Sequence, residues 1–253
     1  MGFPNFKNKK DDSVYTPSQY MAYKKRIGKY PKFKAPIGVI FCYNKELFEF
    51  ILKNHKTTKA KGSYSNMILL NETKSQIAVI KLSVGSPLAA KRMEELIAFG
   101  VKKFISIGTA GSLQKKISIG DLVVCEKAIR DEGVSHHYLK PSKYSYPSKT
   151  MIAKIKKSLG NTKYFSGSTW TIDAPYRETI SEIKKYQKDK VLTVEMEASA
   201  LFAVGQYRNV DVGAIFTISD SHAGLQWIPK SHSKKTKKSL EILYKVANDV
   251  LLN

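Results

Sequence analysis

The run "TVEMEASALF" (193–202) sets two carboxylates, Glu195 and Glu197, either side of Met196. It falls where a β-forming stretch gives way to helical composition. Acids in the first turn of a helix are favoured by its dipole, and a methionine there can simply pack. The dipole needs no second acid at the strand end, however. A glutamate so placed is suited to accept hydrogen bonds from two vicinal hydroxyls of a sugar. Asp220 closes the apolar stretch "DVGAIFTISD" (211–220). It can cap the following turn, or in a pocket it can be held near neutral and share a proton with a ring nitrogen. "GTAGSL" (108–113) brings small residues and Thr109, which would let backbone N–H groups approach an anion or a sugar. It matches neither the GxGxxG fingerprint nor a P-loop, and an ordinary glycine turn would read the same way. "IRDEGVSHHYL" (129–139) adds Arg130, His136 and His137.

These four stretches need elements to hold them, and the periodicity supplies them. "IGVIFCY" (37–43) is a continuous apolar run, as expected of a strand buried on both faces. "KELFEFILKN" (45–54) shifts to helical spacing. "SQIAVIKLSV" (75–84) reads as strand and "SPLAAKRMEELIAFG" (86–100) as an amphipathic helix, with Pro87 in its first turn and Gly100 at its end. Further strands are expected at 102–108, 120–129, 190–196 and 211–220, and helices at 147–160, 197–209 and 239–252. Alternating strands and helices argue an α/β sheet layered between helices. In such sheets ligands sit beyond the carboxyl ends of the strands, where all four polar stretches fall.

Composition sets the outer bounds. The chain has 253 residues, with 43 Lys plus Arg against 21 Asp plus Glu, a net charge of +22. Residues 1–34 are expected to form an irregular basic arm, and 35–253 a single domain. Lys7, Lys9 and Lys10 at one end and Lys230, Lys234, Lys235, Lys237 and Lys238 near the other carry much of the excess. No RNA-binding or zinc-finger pattern accompanies them, so nucleic acid is not the expected partner. Cys42 and Cys125 stand far apart with no CxxC, which indicates neither a disulfide scaffold nor a structural zinc. No apolar run approaches the roughly 20 residues needed to cross a bilayer, and the start is not signal-like. The expectation is a soluble, cytoplasmic protein.

Together and in this order, the four stretches resemble the nucleoside phosphorylase superfamily, from about residue 37 to about 224. "VEMEA" followed by "ISD" carries most of the resemblance, and "IGTAG" supports it. The resemblance implies an α/β fold, a three-layer αβα with a central mixed, partly barrel-like β-sheet, assembled as dimers or trimers of dimers. It implies cleavage of a ribosyl N-glycosidic bond with inorganic phosphate as co-substrate and with no metal or organic cofactor. By the same resemblance, Glu197 would bind the ribose 2′- and 3′-hydroxyls, Met196 would lie against the sugar, and Glu195 would support the pair. His136 and His137 would reach the 5′ side. Gly108 and Thr109 would contact phosphate, and Asp220 would assist the departing base at N7. "GSTWTIDAPYRET" (167–179) is similar to the base-side loop, making Trp170, Tyr176 and Arg177 base contacts and Asp173 its brace.

Departures from the pattern leave alternatives open. Where phosphorylases of this type carry a Gly-Asp-Pro loop with an Arg, this chain reads "FCYNKE" (41–46), and Ser106 stands where an Arg is usual. Arg130, or an Arg26 or Arg92 supplied locally or by a neighbouring subunit, is the candidate to restore anion binding. Glu46 falls where the nucleosidases place the acid that activates water. The lead expectation is phosphorolysis of a purine nucleoside. Rivals are a water-using nucleosidase acting through Glu46 and Asp220, an AMP nucleosidase, a uridine phosphorylase, and a non-catalytic nucleoside or RNA binder.

Overall fold

The computed structural model describes residues 12–74 and 76–253. Helix α1 (Pro17–Arg26) precedes β1 (Gly38–Cys42), α2 (Lys45–Asn54) and the short strands β2 (Thr57–Lys59) and β3 (Met67–Leu70). Next come β4 (Ile77–Lys81), α3 (Ser86–Phe99), β5 (Lys103–Ser112) and β6 (Leu122–Asp131). A short α4 (Ser135–Tyr138), β7 (Tyr144–Ser145), α5 (Lys149–Leu159) and β8 (Tyr164–Ile172) follow. The last third holds α6 (Ile180–Lys188), β9 (Thr193–Glu195), α7 (Ala198–Arg208), β10 (Asp211–Ser221), β11 (Ile228–Pro229) and α8 (Lys234–Leu252).

The strands form one mixed sheet. β1 lies between β4 and β5, parallel to both, and β2 and β3 extend the β4 edge antiparallel. β5 also pairs in parallel with β10, while β10, β6, β8, β9 and back to β5 close a ring. The sheet is therefore part open and part barrel. Along β1 the side chains alternate: Val39 and Phe41 join a core with α3 and α7, whereas Ile40 and Cys42 join one with α2, α5 and α8. Helices on both faces complete a three-layer αβα architecture.

Two local features position the site. Residues Ala198 to Gly205 of α7 are all buried, so this helix is apolar all round and held inside the layers. At Gly205 an added Cβ would stand 2.4 Å from Val212 Cγ2, which is why helix and β10 can approach so closely. β8, with its small polar residues, does not read as a strand from its sequence. Its Thr169 and Thr171 are fully buried on one face, with Trp170 and Ile172 on the other. The threonine hydroxyls bond across to β9, so polar residues here satisfy the interior.

The expected irregular arm needs correction over its second half. Thr16 and Gln19 form a capping box, Pro17 fits the first turn, and α1 packs on α3 with Met21 buried. Lys7, Lys9 and Lys10 lie outside the described residues. Among the described residues no helix is long and apolar enough to cross a membrane.

Candidate active site

The start of α7 is built around the two glutamates. Glu195 Oε2 accepts the backbone N–H groups of Glu197 (2.8 Å) and Ala198 (2.7 Å), two of the donors a helix leaves unpaired at its start. Its other oxygen accepts from the Thr171 hydroxyl, so β8, β9 and α7 meet at one carboxylate. Glu197 accepts from the N–H of Gly85 at 2.5 Å, and Ser86 Oγ donates to the Met196 carbonyl at 2.7 Å. The β4–α3 loop is thereby tied to the strand–helix junction; Gly85 has φ +116°, a conformation that glycine adopts freely. Both carboxyls are pushed up from the usual glutamate range. Burial is the main cause for each, and the Glu195 charge adds to it for Glu197. A chain of charge +22 thus buries two acids here, and burial disfavours the charged form of each.

The neighbouring loop is organised by a third acid. Glu132, 4% exposed, accepts from the N–H groups of Val134 and Ser135 and from Ser199 Oγ of α7. Arg130, also buried, points into the same loop. Its Nε donates to Ser135 Oγ, one terminal nitrogen to the Lys140 carbonyl and Ser142 Oγ, and the other to the Ser135 and Leu139 carbonyls. All five guanidinium N–H groups are occupied. The expectation that Arg130 binds phosphate is therefore corrected: it holds the 135–142 loop. His136 Nε2 bonds the Arg130 carbonyl at 2.9 Å, while His137, expected on the ribose side, is exposed on α4.

A second acidic cluster lies at the end of β10. A bulge after Ile218 sets Asp220 opposite Gly111 of β5. Asp220 Oδ1 accepts from Ser219 Oγ (2.6 Å), and Oδ2 accepts from Trp227 Nε1 (3.1 Å) and contacts His222 Nε2 (3.0 Å). A Cβ on Gly111 would stand 2.8 Å from the His222 ring, so the small residue in "GTAGSL" is what admits the imidazole. Glu178 completes the cluster, its Oε2 3.6 Å from His222 Nε2. Burial raises the Asp220 carboxyl, but the bonds from His222, Ser219 and Trp227 outweigh it and leave Asp220 below its ordinary value. The expectation of a near-neutral Asp220 is corrected accordingly. For His222 burial works downward, and the Asp220 bond with the Glu178 charge reverses it, so the ring holds its proton more tightly than usual.

Between the clusters runs the end of β5. Thr109 is half-buried and lies in register with Thr217 of β10. The Thr217 hydroxyl is buried without a hydrogen-bond partner among the described residues. Tyr43, just past β1, lays its ring against Gly108, where a Cβ would be 3.3 Å away, and Ser106 Oγ donates to its hydroxyl at 3.4 Å. Burial, with the charges of Glu197 and Glu195, pushes that hydroxyl well above its ordinary value. Tyr43, Glu178, His222 and Trp227 escaped the sequence reading. The only local signal was their position after strands β1, β8 and β10.

Other expected residues lie apart. Glu46 is exposed, pairing with Lys237 (2.9 Å) and His232 (3.4 Å) on the α8 side of the sheet, so it is corrected as a water-activating acid. Trp170 is fully buried, its ring 4.7 Å from that of Tyr186 of α6 and tilted 46° to it, with Nε1 donating to Asp131. Since Thr171 faces Glu195, the strand period turns Trp170 to the opposite face, which corrects its assignment as a base contact. Tyr176, fully exposed, and Arg177 form a single 3₁₀ turn with Pro175. Asp173 ties that turn to the other loop by accepting from the Gly133 N–H at 2.9 Å. Among the described residues no group of His, Cys, Asp and Glu is arranged to hold a metal.

Comparison with known proteins bears on the family and the fold. Residues 39–251 match the model of the phosphorylase superfamily. A guanosine phosphorylase of Halorubrum lacusprofundi is 27% identical over 67% of this chain and 68% of its own length. A DeoD-type purine nucleoside phosphorylase of Clostridium novyi is 28% identical over 68% of this chain and 76% of its own. A crystal structure of uridine phosphorylase from Vibrio fischeri superposes with a TM-score of 0.72 at 25% identity, covering 86% of this chain and 90% of that one. Matched across most of its length, the chain belongs to the phosphorylase superfamily.

Proposed function

We propose that the protein is a nucleoside phosphorylase that cleaves the N-glycosidic bond of a purine nucleoside with phosphate, giving free base and ribose 1-phosphate. The observation that carries this reading is one of register. Asp220 and Thr217 of β10 lie beside Gly111 and Thr109 of β5, and Val194, next to Glu195, pairs with that same Gly111. Acids for a sugar and for a base thus flank one strand end. Glu197 accepts the ribose hydroxyls, with Met196 against the ring and Glu195 fixing the helix start. The Thr109 hydroxyl and the backbone at Gly108 receive the phosphate. Tyr176 and Arg177 border the base on a turn that Asp173 braces.

Departure of the base builds positive character on the ribose and negative charge on the base. The phosphate beneath the sugar and the proton held between His222 and Asp220 both stabilise that state. One such proton donor contributes roughly 10²–10⁴-fold, so the remaining acceleration falls to phosphate and positioning. Hydrolysis loses its candidate base, because Glu46 is engaged by Lys237 away from Glu197. We further propose that the protein works as a homo-oligomer, a dimer or a trimer of dimers.

The test is product analysis with inosine, guanosine, adenosine, methylthioadenosine and uridine, each with and without phosphate. Ribose 1-phosphate formed only with phosphate is expected. Free ribose at an unchanged rate without phosphate would overturn the proposal in favour of a nucleosidase.

A further inference from the structure

Helix α1 carries a stripe that its packing does not use up. Tyr20, Tyr23, Lys24 and Ile27 recur at helical spacing and share one face of it. Aromatic and apolar residues so spaced normally cover a core. Here Tyr23 stays 47% and Ile27 39% exposed. Their face borders a groove of about 980 Å³ that runs between α1 with the 27–33 segment and the β2–β3 edge of the sheet. Ala60 and Leu69 give the groove a buried apolar floor. Lys29 and Lys32 line it from the α1 side and Lys59 from the β2 side, and no acid is among the described residues that line it.

Lys24 is a second, independent sign that this groove is built to receive something. It lines the groove although it is only 3% exposed. Its ammonium stands over the rings of Tyr20 at 4.5 Å and Tyr64 at 5.0 Å. Taking a cation out of water costs free energy, and an anion entering the groove would offset that cost.

The lining describes its ligand. An open phenol ring takes a flat π system, and several ammonium groups without an acid attract several negative charges together. A base joined to a chain of phosphates carries both. The rings also limit the number of bases. Tyr30 and Phe33 are packed edge-to-face with Phe99, at 5.8 and 5.3 Å, and Tyr20 faces Lys24. Arg26 stands over Tyr23 at 5.5 Å, so one base can lie against the remaining face of that ring. A nucleic-acid strand would need ring after ring along an open path. The volume instead falls at the upper end of the roughly 300–1,000 Å³ range of small-molecule pockets.

We propose that the groove between α1 and the β2–β3 edge binds a nucleoside di- or triphosphate, its base against Tyr23 and its phosphates among Lys24, Lys29, Lys32 and Lys59. None of the residues lining the groove belongs to the candidate active site, so the proposal stands apart from the phosphorolysis reading.

The experiment is calorimetry on the full chain with ADP, GDP, ATP and GTP. Adenosine, guanosine, inorganic tripolyphosphate and a short single-stranded RNA are titrated alongside. A nucleoside triphosphate is expected to bind at least about tenfold more tightly than its nucleoside or tripolyphosphate, since one stacked base is worth about that much. Affinity should fall as salt rises. Tyr23→Ala should weaken binding about tenfold. Lys29→Glu combined with Lys32→Glu should weaken it further, at an unchanged melting temperature. Should Tyr23→Ala lower that temperature, Tyr23→Phe decides, because it keeps the ring: retained affinity supports stacking and lost affinity overturns it. Glu197→Gln should bind the nucleotide as wild type does, and loss of binding there would move the ligand to the candidate active site and overturn the proposal. It falls equally if no nucleotide binds, or if tripolyphosphate binds as tightly as the nucleotide. RNA bound more tightly than the triphosphate would hand the groove to a nucleic acid. A changed sedimentation coefficient in the lysine variant would show that a second copy of the chain covers the groove, which also overturns it.

Discussion

The two acid pairs flank one strand end, yet Glu195 and Glu197 are buried and both raised, whereas Glu178 and Asp220 are half-buried and Asp220 alone is held low. Glu195 and Glu197 receive their hydrogen bonds from backbone amides and a threonine, and burial pushes both carboxyls up. Asp220 and Glu178 have an imidazole between them, and Asp220 is held low despite its burial. Glu178, farther from the ring, stays raised by burial. The lesson is that amide donors do not offset full desolvation plus a like charge, whereas a half-buried carboxylate with an imidazole and two further side-chain donors is held low. For a phosphorylase the division is useful. The sugar side can give up a proton to bind hydroxyls, while the base side keeps one to deliver.

The largest expected effect tests the base-side pair. Asp220→Asn should lower kcat by roughly 10²–10⁴-fold, because it removes the anion that holds the His222 proton near the base. A loss under about tenfold would mean that the cation, not the carboxylate, carries the step. Glu197→Gln comes next, with a fall in kcat/KM of about 10²–10³-fold from a weakened grip on the sugar. This variant also tests the comparison through stability. Burial raises Glu197 above 4.5, its ordinary value, so the folded protein holds a proton there that the unfolded chain has lost. The stability it contributes is full at low pH and is lost as pH rises through the folded value, near 8. Asp220, held low, has the opposite sign: its contribution is present above the unfolded value and lost as pH falls through the folded one. Melting curves of Glu197→Gln from pH 5 to pH 8 should fall less with pH than those of wild type. An unchanged slope would break the contrast between the pairs.

The sugar side was more legible in the sequence than the base side, for a physical reason. "VEMEA" lies at a strand–helix junction where spacing alone brings acid, backbone and helix dipole together. The apolar run of β1, the 45–54 helix and the Pro87 start and Gly100 end of α3 were readable for the same reason: their signals are local. Glu178 and His222 meet only because β8 and β10 close into the ring, and no spacing along the chain announces that. Trp170 misled because aromatic residues serve cores and bases equally well, and only the pairing of Thr171 with Glu195 reveals which way it faces. β8 was hidden because one of its two buried faces is threonine rather than aliphatic.

A smaller effect is expected at the cation that sits inside the protein without serving a carboxylate at the site. Arg130→Met should destabilise on the order of 3 kcal/mol, or roughly 6–12 °C in Tm, as buried carbonyl and hydroxyl acceptors lose their partner. In the folded fraction, KM for phosphate should stay unchanged. A selective rise in that KM would return Arg130 to the anion site and weaken the account of its five bonds.

The smallest expected effect is at Glu46, the acid that contrasts with both buried pairs. It stands in water at the start of α2, and Lys237 and His232 hold its carboxyl below the usual range. A charge so exposed and already paired cannot act as a base near neutral pH. It also lies on the α8 side, whereas Glu197 opens α7 on the other. Glu46→Gln should therefore leave kcat/KM within about twofold, since exposed ion pairs contribute little. A loss of two orders of magnitude would require the α2–α8 contact to open during turnover and bring Glu46 to the sugar, and a water-using mechanism would then regain its base.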